Sequence, residues 1–170
     1  PRSAGYDMIR VVPQTDVGAV RPETRDQVES FRPRVEGTFR DAIDWFFLAT
    51  AARVARGQRE HSSMLVHTHL NTDVHERFPE PLKRYCAELL DGLERGEDLL
   101  VERLRGLWSA ESARVPAEEF QRAPLDFDDV RAHLHEVISR TQVILDNYKS
   151  DVRLDYERSK EPLWVIAVGA

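Results

Sequence analysis

Apolar residues recur at helical spacing from residue 38 onward, and the chain before that point has no sustained period. In the first 37 residues one short apolar run, Met8 to Val12, ends at Pro13 and predicts an edge strand, since proline cannot donate to a sheet ladder. Pro22 and Pro33 punctuate the remainder of this segment, and Glu23 to Phe31 between them predicts a short helix. Residues 1–37 read as an N-terminal arm, of a kind that lies over another part of a larger protein. From 38 to 56 the pattern is clear: Ile43, Phe46, Phe47, Ala51 and Val54 share a face, Thr38 is placed to cap the start, and Gly57 is a natural stop. The aromatic stripe Trp45, Phe46, Phe47 reads as core.

The period then shortens. Ser62 to Leu70 opens as a continuous apolar run, as in a buried parallel strand, and turns polar at His67. Residues 72–108 are helical, with a break at Pro79 and Pro81 and a division near Gly96. Leu82, Tyr85, Leu89, Leu93, Leu99, Leu100, Leu104 and Leu107 supply the apolar face. A loop is expected over 109–125, then a helix from Asp126 to about Arg140 through Val130, Leu134, Val137 and Ile138. Two more strands come after it, Thr141 to Asn147 and Leu163 to Val168, with a polar stretch between them that contains a minor strand candidate at Val152 to Tyr156. Buried strands separated by helices predict an α/β fold: a mostly parallel sheet layered between helices. Residues 38–170 then form one α/β lobe, with 72–140 largely helical. The sequence stops as its last buried strand reaches the carboxyl edge, where such sheets carry their sites. The expectation is a truncated lobe that catalyses nothing by itself.

Composition narrows the setting. The chain has 170 residues and 41% hydrophobic content, enough for one core. No apolar run approaches the roughly 20 residues that span a bilayer, and no basic stretch followed by an apolar one opens the chain. No membrane partner is expected. Cys86 is the single cysteine and sits in an apolar helical pattern, so it reads as a core thiol in a reducing, cytoplasmic protein. A net charge of −6 makes a stand-alone DNA binder a poor reading.

Candidate chemistry concentrates at three places. His61, His67, His69 and His75 lie close together, and on a strand His67 and His69 share a face, where an H-x-H pair can hold a metal. Zinc needs three or four ligands, with Asp73 or His75 as a third, and we expect no metal here. The preferred reading puts His67, Thr68, His69 and Asn71 at the sheet edge, bonded to main chain or to nucleic-acid phosphate. Asp146, Asp151, Asp155 and Glu157, with Lys149 and Lys160 nearby, raise a metal-dependent nuclease, but a solvated acidic loop suits the spacing better. Arg53, Arg56 and Arg59 form either a basic patch or a helix-end charge set, and the second is preferred.

Several stretches also resemble a known family. Ala42-Ile43-Asp44-Trp45-Phe46-Phe47-Leu48-Ala49, Arg56-Gly57-Gln58, His61 through His67, Asp73-Val74 and the terminal Val165-Ile166-Ala167-Val168-Gly169 are similar to the Z1 domain. The opening Tyr6-Asp7-Met8, together with Asp146-Asn147 and Leu154-Asp155-Tyr156, fits it too. That domain accompanies a superfamily-two, helicase-like ATPase in bacterial proteins often labelled endonucleases. The resemblance implies a RecA-like second motor lobe with a helical insertion. It also implies DNA as a partner through the parent protein, and nucleic-acid contact near His67, Thr68, His69, Asn71 and Gly169. ATP and Mg²⁺ are implied for the parent only, since no GxxxxGK[ST] loop occurs here. An N-terminal ATPase lobe and a C-terminal Arg-bearing segment would be supplied by the rest of that protein. The alternatives are an endonuclease domain and an interaction module.

Overall fold

A computed structural model describes residues 8–146, 159 and 161–169. The architecture is α/β. Helix α1 (Gln14–Val20) and a 3₁₀ turn (Arg25–Gln27) precede α2 (Gly37–Ala55) and strand β1 (Ser62–Val66). A helical block comes next: α3 (Thr72–His75), α4 (Pro79–Glu94), α5 (Asp98–Arg114), a 3₁₀ turn (Ala117–Phe120) and α6 (Phe127–Arg140). Strands β2 (Gln142–Asp146) and β3 (Trp164–Gly169) complete the sheet.

The sheet is parallel and its order is β1-β3-β2, so the last strand lies in the middle. Register decides which residues share a face. Met64, Ile166 and Val143 stand in one row, and Val66, Val168 and Leu145 in the next. With Trp164 these side chains join the helical core, while Leu65, Ala167 and Ile144 lie in the row facing away from it. β3 is buried along its whole length. Along β1 exposure alternates with the face, so Leu65, in the middle of its apolar run but turned away from the helices, is 64% exposed.

α2 is the centre of the helical layer. Ile43, Phe47, Leu48, Ala51, Ala52 and Val54 are all buried, which leaves it little amphipathic character. It packs chiefly against α6, whose Phe127, Val130, Leu134, Val137 and Ile138 form the facing stripe. α4 contributes Leu82, Tyr85 and Leu89. Gly57, at φ 76°, ends α2 as expected, in a left-handed turn that closes with Gln58 N–H on the Arg53 carbonyl.

Several expectations need correction. Met8 to Val12 forms no strand: Arg10 is held by Glu111 of α5, so the segment runs over helices instead of beside the sheet. The arm contains a helix that its weak period concealed, α1, and it packs on its own domain through Ala19, Val20 and Phe31. Between Glu23 and Phe31 only the 3₁₀ turn forms. Arg77 donates to the carbonyls of Val28, Glu29 and Phe31 and so holds the chain that follows the turn. Thr38 is not the cap of α2; it lies within the first turn and is itself bonded by Asp16. α5 continues to Arg114, because Pro116 is the first residue able to stop it. Leu99 is 81% exposed, off the buried face of α5. The prolines at 79 and 81 sit in the first turn of α4, where a missing N–H costs nothing. The Val152–Tyr156 strand candidate lies outside the described residues. No helix among those described is long and apolar enough to cross a membrane.

Candidate functional site

Open parallel sheets take ligands beyond their carboxyl ends, where the chain leaves one strand for another element. Here that edge is formed by the ends of β1 and β3. Val66 pairs with Val168, and the next residues on each strand meet through a side chain. His67 Nδ1 donates to the Gly169 carbonyl at 3.0 Å. A carbonyl can only accept, so the neutral ring carries its proton on Nδ1 and keeps Nε2 as an acceptor.

His69 adopts the opposite tautomer. Its Nδ1 accepts the Asn71 main-chain N–H at 2.9 Å, which places the neutral ring's proton on Nε2. Asn71 Oδ1 in turn accepts the Asp73 N–H at 2.9 Å and caps α3. These bonds explain why β1 ends at Val66 instead of reaching Leu70: the chain after Val66 is committed to side-chain bonds that turn it into α3. Leu70, at the apex, is 91% exposed.

α3 then carries His75 beneath the same edge. Its ring is 1% exposed, and its centroid lies 5.3 Å from that of His67. Neither of its nitrogens has a hydrogen-bond partner. Burial lowers its pKa. The nearby main chain of His69 opposes that shift, and the rings of His67 and His69 reinforce it. The Thr68 hydroxyl is also buried without a partner. An unpaired buried polar group costs about 1–3 kcal/mol, so this edge concentrates unused hydrogen-bonding capacity.

The five positions expected at the edge therefore fall into two bonded pairs, His67 with Gly169 and His69 with Asn71, with Thr68 between them. The sequence offered His75 only as a possible third metal ligand. Its burial was legible only as a histidine beside an apolar residue, Val74, in a short segment that must tuck under a sheet. None of the three histidines hydrogen-bonds a serine, a cysteine or a carboxylate among the described residues, so no nucleophile–base pair is assembled here. Among the described residues no three His, Cys, Asp or Glu side chains converge as a metal ion requires.

The other clusters resolve differently. Asp146 ends β2 in register with Gly169. Asp151, Asp155, Glu157, Lys149 and Lys160 lie outside the described residues. The three arginines at and just beyond the end of α2 bind fixed acceptors. Arg53 reaches the His61 carbonyl, the Ser62 hydroxyl and Glu60. Arg56 reaches the Ala123 carbonyl, and Arg59 grips Glu136 with two nitrogens. They tie the turn after α2 to β1 and α6 and form no open basic patch. His61 Nδ1 accepts the Leu163 N–H at 2.9 Å and aligns the start of β3. The Cys86 thiol is pushed up to about 11 by burial, which suits a core thiol.

No curated protein and no solved structure matches the chain significantly. The family profile of the Z1 domain matches residues 38–170, which take in α2, the helical block, all three strands and the histidine edge. The chain belongs to the Z1 domain family.

Proposed function

We propose that this chain is a non-catalytic part of a DNA-directed, helicase-like ATPase acting in bacterial restriction or DNA repair in the cytoplasm. Its sheet would be the core of a RecA-like second motor lobe, and α3–α6 a helical insertion between the first two core strands. Three things support the reading: membership of the Z1 domain family, the all-parallel sheet, and the polar edge at His67 and Gly169. The last carries most weight. A histidine that locks the carboxyl ends of two neighbouring strands sets the path of the chain where a motor lobe meets its ligands. The sequence has no GxxxxGK[ST] loop, so these residues do not fit an ATP phosphate cradle, and ATP with Mg²⁺ would be held by the rest of the parent protein. His69 Nε2–H is a donor of the type that contacts nucleic-acid phosphate, whereas the buried Thr68 hydroxyl is not open to such a ligand.

The deciding experiment is ATP hydrolysis by the full-length parent, with and without DNA. DNA-stimulated turnover that disappears on deletion of residues 38–170, and that falls in His69→Ala with the fold intact, is the expected result. Absence of turnover under every condition sinks the proposal. Mg²⁺-dependent DNA cleavage without ATP would move the reading to a nuclease built on Asp146, Asp151, Asp155 or Glu157.

A further inference from the structure

Away from the sheet edge, α2, α5 and the loop 115–125 enclose a cleft of about 620 Å³, within the size range of small-molecule sites. Its floor is made of small residues, Ala49 and Ala52 on α2. Trp45 and Trp108 form one wall, with ring centroids 5.8 Å apart and planes 31° apart. Pro116, Phe120, Pro124 and Leu125 of the loop also line the cleft, and Phe120 is 50% exposed.

The loop that makes this cleft is fixed from both sides. Trp108 Nε1 donates to the Leu125 carbonyl at 3.2 Å, and Arg56 donates to the Ala123 carbonyl at 3.0 Å. Two residues before Ala123, at the end of the 3₁₀ turn, Gln121 holds φ 57°, a left-handed conformation that costs a non-glycine residue about 1–2 kcal/mol. A loop kept strained and tied around an aromatic gap is preorganised, which lowers the ordering cost of binding. The rim is polar and leans positive. Arg56, Arg122 and Gln58 line it, while the carboxylate of Glu111 is already neutralised by Arg10 and Arg114. Glu118, the other lining carboxylate, is exposed to solvent as Arg122 is, so the lean rests on two lining arginines against this one carboxylate.

We propose that this cleft is a binding site for a small planar aromatic anion. The ring system would lie against Trp45 and Trp108 under Phe120, with its anionic group at Arg122 and the outer guanidinium face of Arg56. The site stands independently of the motor-lobe reading, since it shares no residue with the His67 edge.

The test uses the 170-residue chain and 8-anilino-1-naphthalenesulfonate, followed by probe fluorescence and tryptophan quenching. Saturable binding at one site per chain is expected. It should weaken at least tenfold in Phe120→Ala and in Arg122→Glu, both exposed positions whose fold is checked by circular dichroism. Ala49→Leu, which fills the floor, should abolish it. N-phenyl-1-naphthylamine, the same ring body without the sulfonate, should bind at least tenfold more weakly. Displacement by adenosine monophosphate would identify a nucleotide as the natural class; displacement by indole-3-acetate alone would identify an aromatic acid. The proposal is overturned if neither displaces the probe, if binding is unsaturable or absent, if the neutral analogue binds as well, or if the variants bind like the parent chain.

Discussion

Asp16 closes the first turn of a helix that starts 21 residues after it in the chain: its Oδ2 accepts both the main-chain N–H of Thr38, at 2.9 Å, and the Thr38 hydroxyl, at 3.0 Å. The two bonds lower the Asp16 pKa, the main-chain bond most. They also require an absent side chain at the neighbouring position. A Cβ at Gly37 would meet Asp16 Oδ2 at 2.3 Å, on a residue whose φ is 54°. Gly37→Ala should therefore destabilise the chain by about 1–2 kcal/mol from the backbone conformation alone, plus the displaced cap. Urea denaturation reads this directly; a midpoint equal to the parent's would show that α1 does not hold α2.

The same carboxylate gives a pH signature. Its folded pKa lies below its unfolded one, so its contribution is present above the ordinary carboxylate range and is lost as pH falls through the folded value. Asp16→Asn should lower the Tm near neutrality, and the gap to the parent should close in acid. A gap that stays constant with pH would rule out an ionic cap.

His75 predicts the behaviour of a buried base. Burial lowers its folded pKa, so the unfolded chain binds the extra proton first. Stability is then full above the ordinary histidine range and declines as pH falls below it. His75→Leu removes two unpaired buried nitrogens and keeps an apolar filling. It should flatten the stability profile below about pH 6.5, the ordinary histidine pKa. A slope unchanged in that variant would place the proton uptake on another group.

Asp44 is fully buried within α2, where Tyr85 Oη–H donates to it at 2.6 Å and Arg103 pairs with its other oxygen. Burial raises its pKa, against the pull of Tyr85 and Arg103. Removing the cation alone leaves a charge in the core, at a cost of up to about 3–5 kcal/mol for a fully buried pair; Arg103 is partly exposed, so the lower end applies. Arg103→Met should be that damaging. Asp44→Leu combined with Arg103→Met should recover much of the loss. A double-mutant cycle by chemical denaturation measures both, and strict additivity would refute the coupling.

Cys86 should resist alkylation. With its thiol pushed up to about 11, little thiolate forms at pH 8. Iodoacetamide should modify the native chain far more slowly than the chain in urea, and equal rates would mean the helix face opens freely.

The helices and strands were legible wherever burial on one face imposed a period. Ile43, Phe47, Ala51 and Val54 announced α2, and the run Trp164 to Val168 announced β3. The misses have physical causes. α1 is a two-turn helix whose burial rests on Ala19 and Val20, too short to repeat a pattern. Met8 to Val12 has strand composition, but its position is set by an arginine–glutamate contact 101 residues away in sequence. At the site, His67 and Gly169 were both singled out in the sequence, but their bond was not, because it depends on β3, not β2, being the strand next to β1. His75 was hidden for a related reason. Its environment is made by chain that arrives from elsewhere, and residue type alone argues for solvent.

The middle position of β3 sets the order in which this sheet can come into being. Until residues 164–169 are in place, β1 and β2 have no common neighbour. They stand about 9–10 Å apart, twice the interstrand spacing, across an empty lane. A ribosome that has released everything through Asp146 has therefore made two strands and no sheet. The pairing of Ser62 with Trp164 must bring together residues about a hundred positions apart, so closure is a late and slow event. Truncation just before Trp164 would then leave a helical layer with a row of unpaired strand edges, a species more prone to aggregate than to persist as a smaller domain.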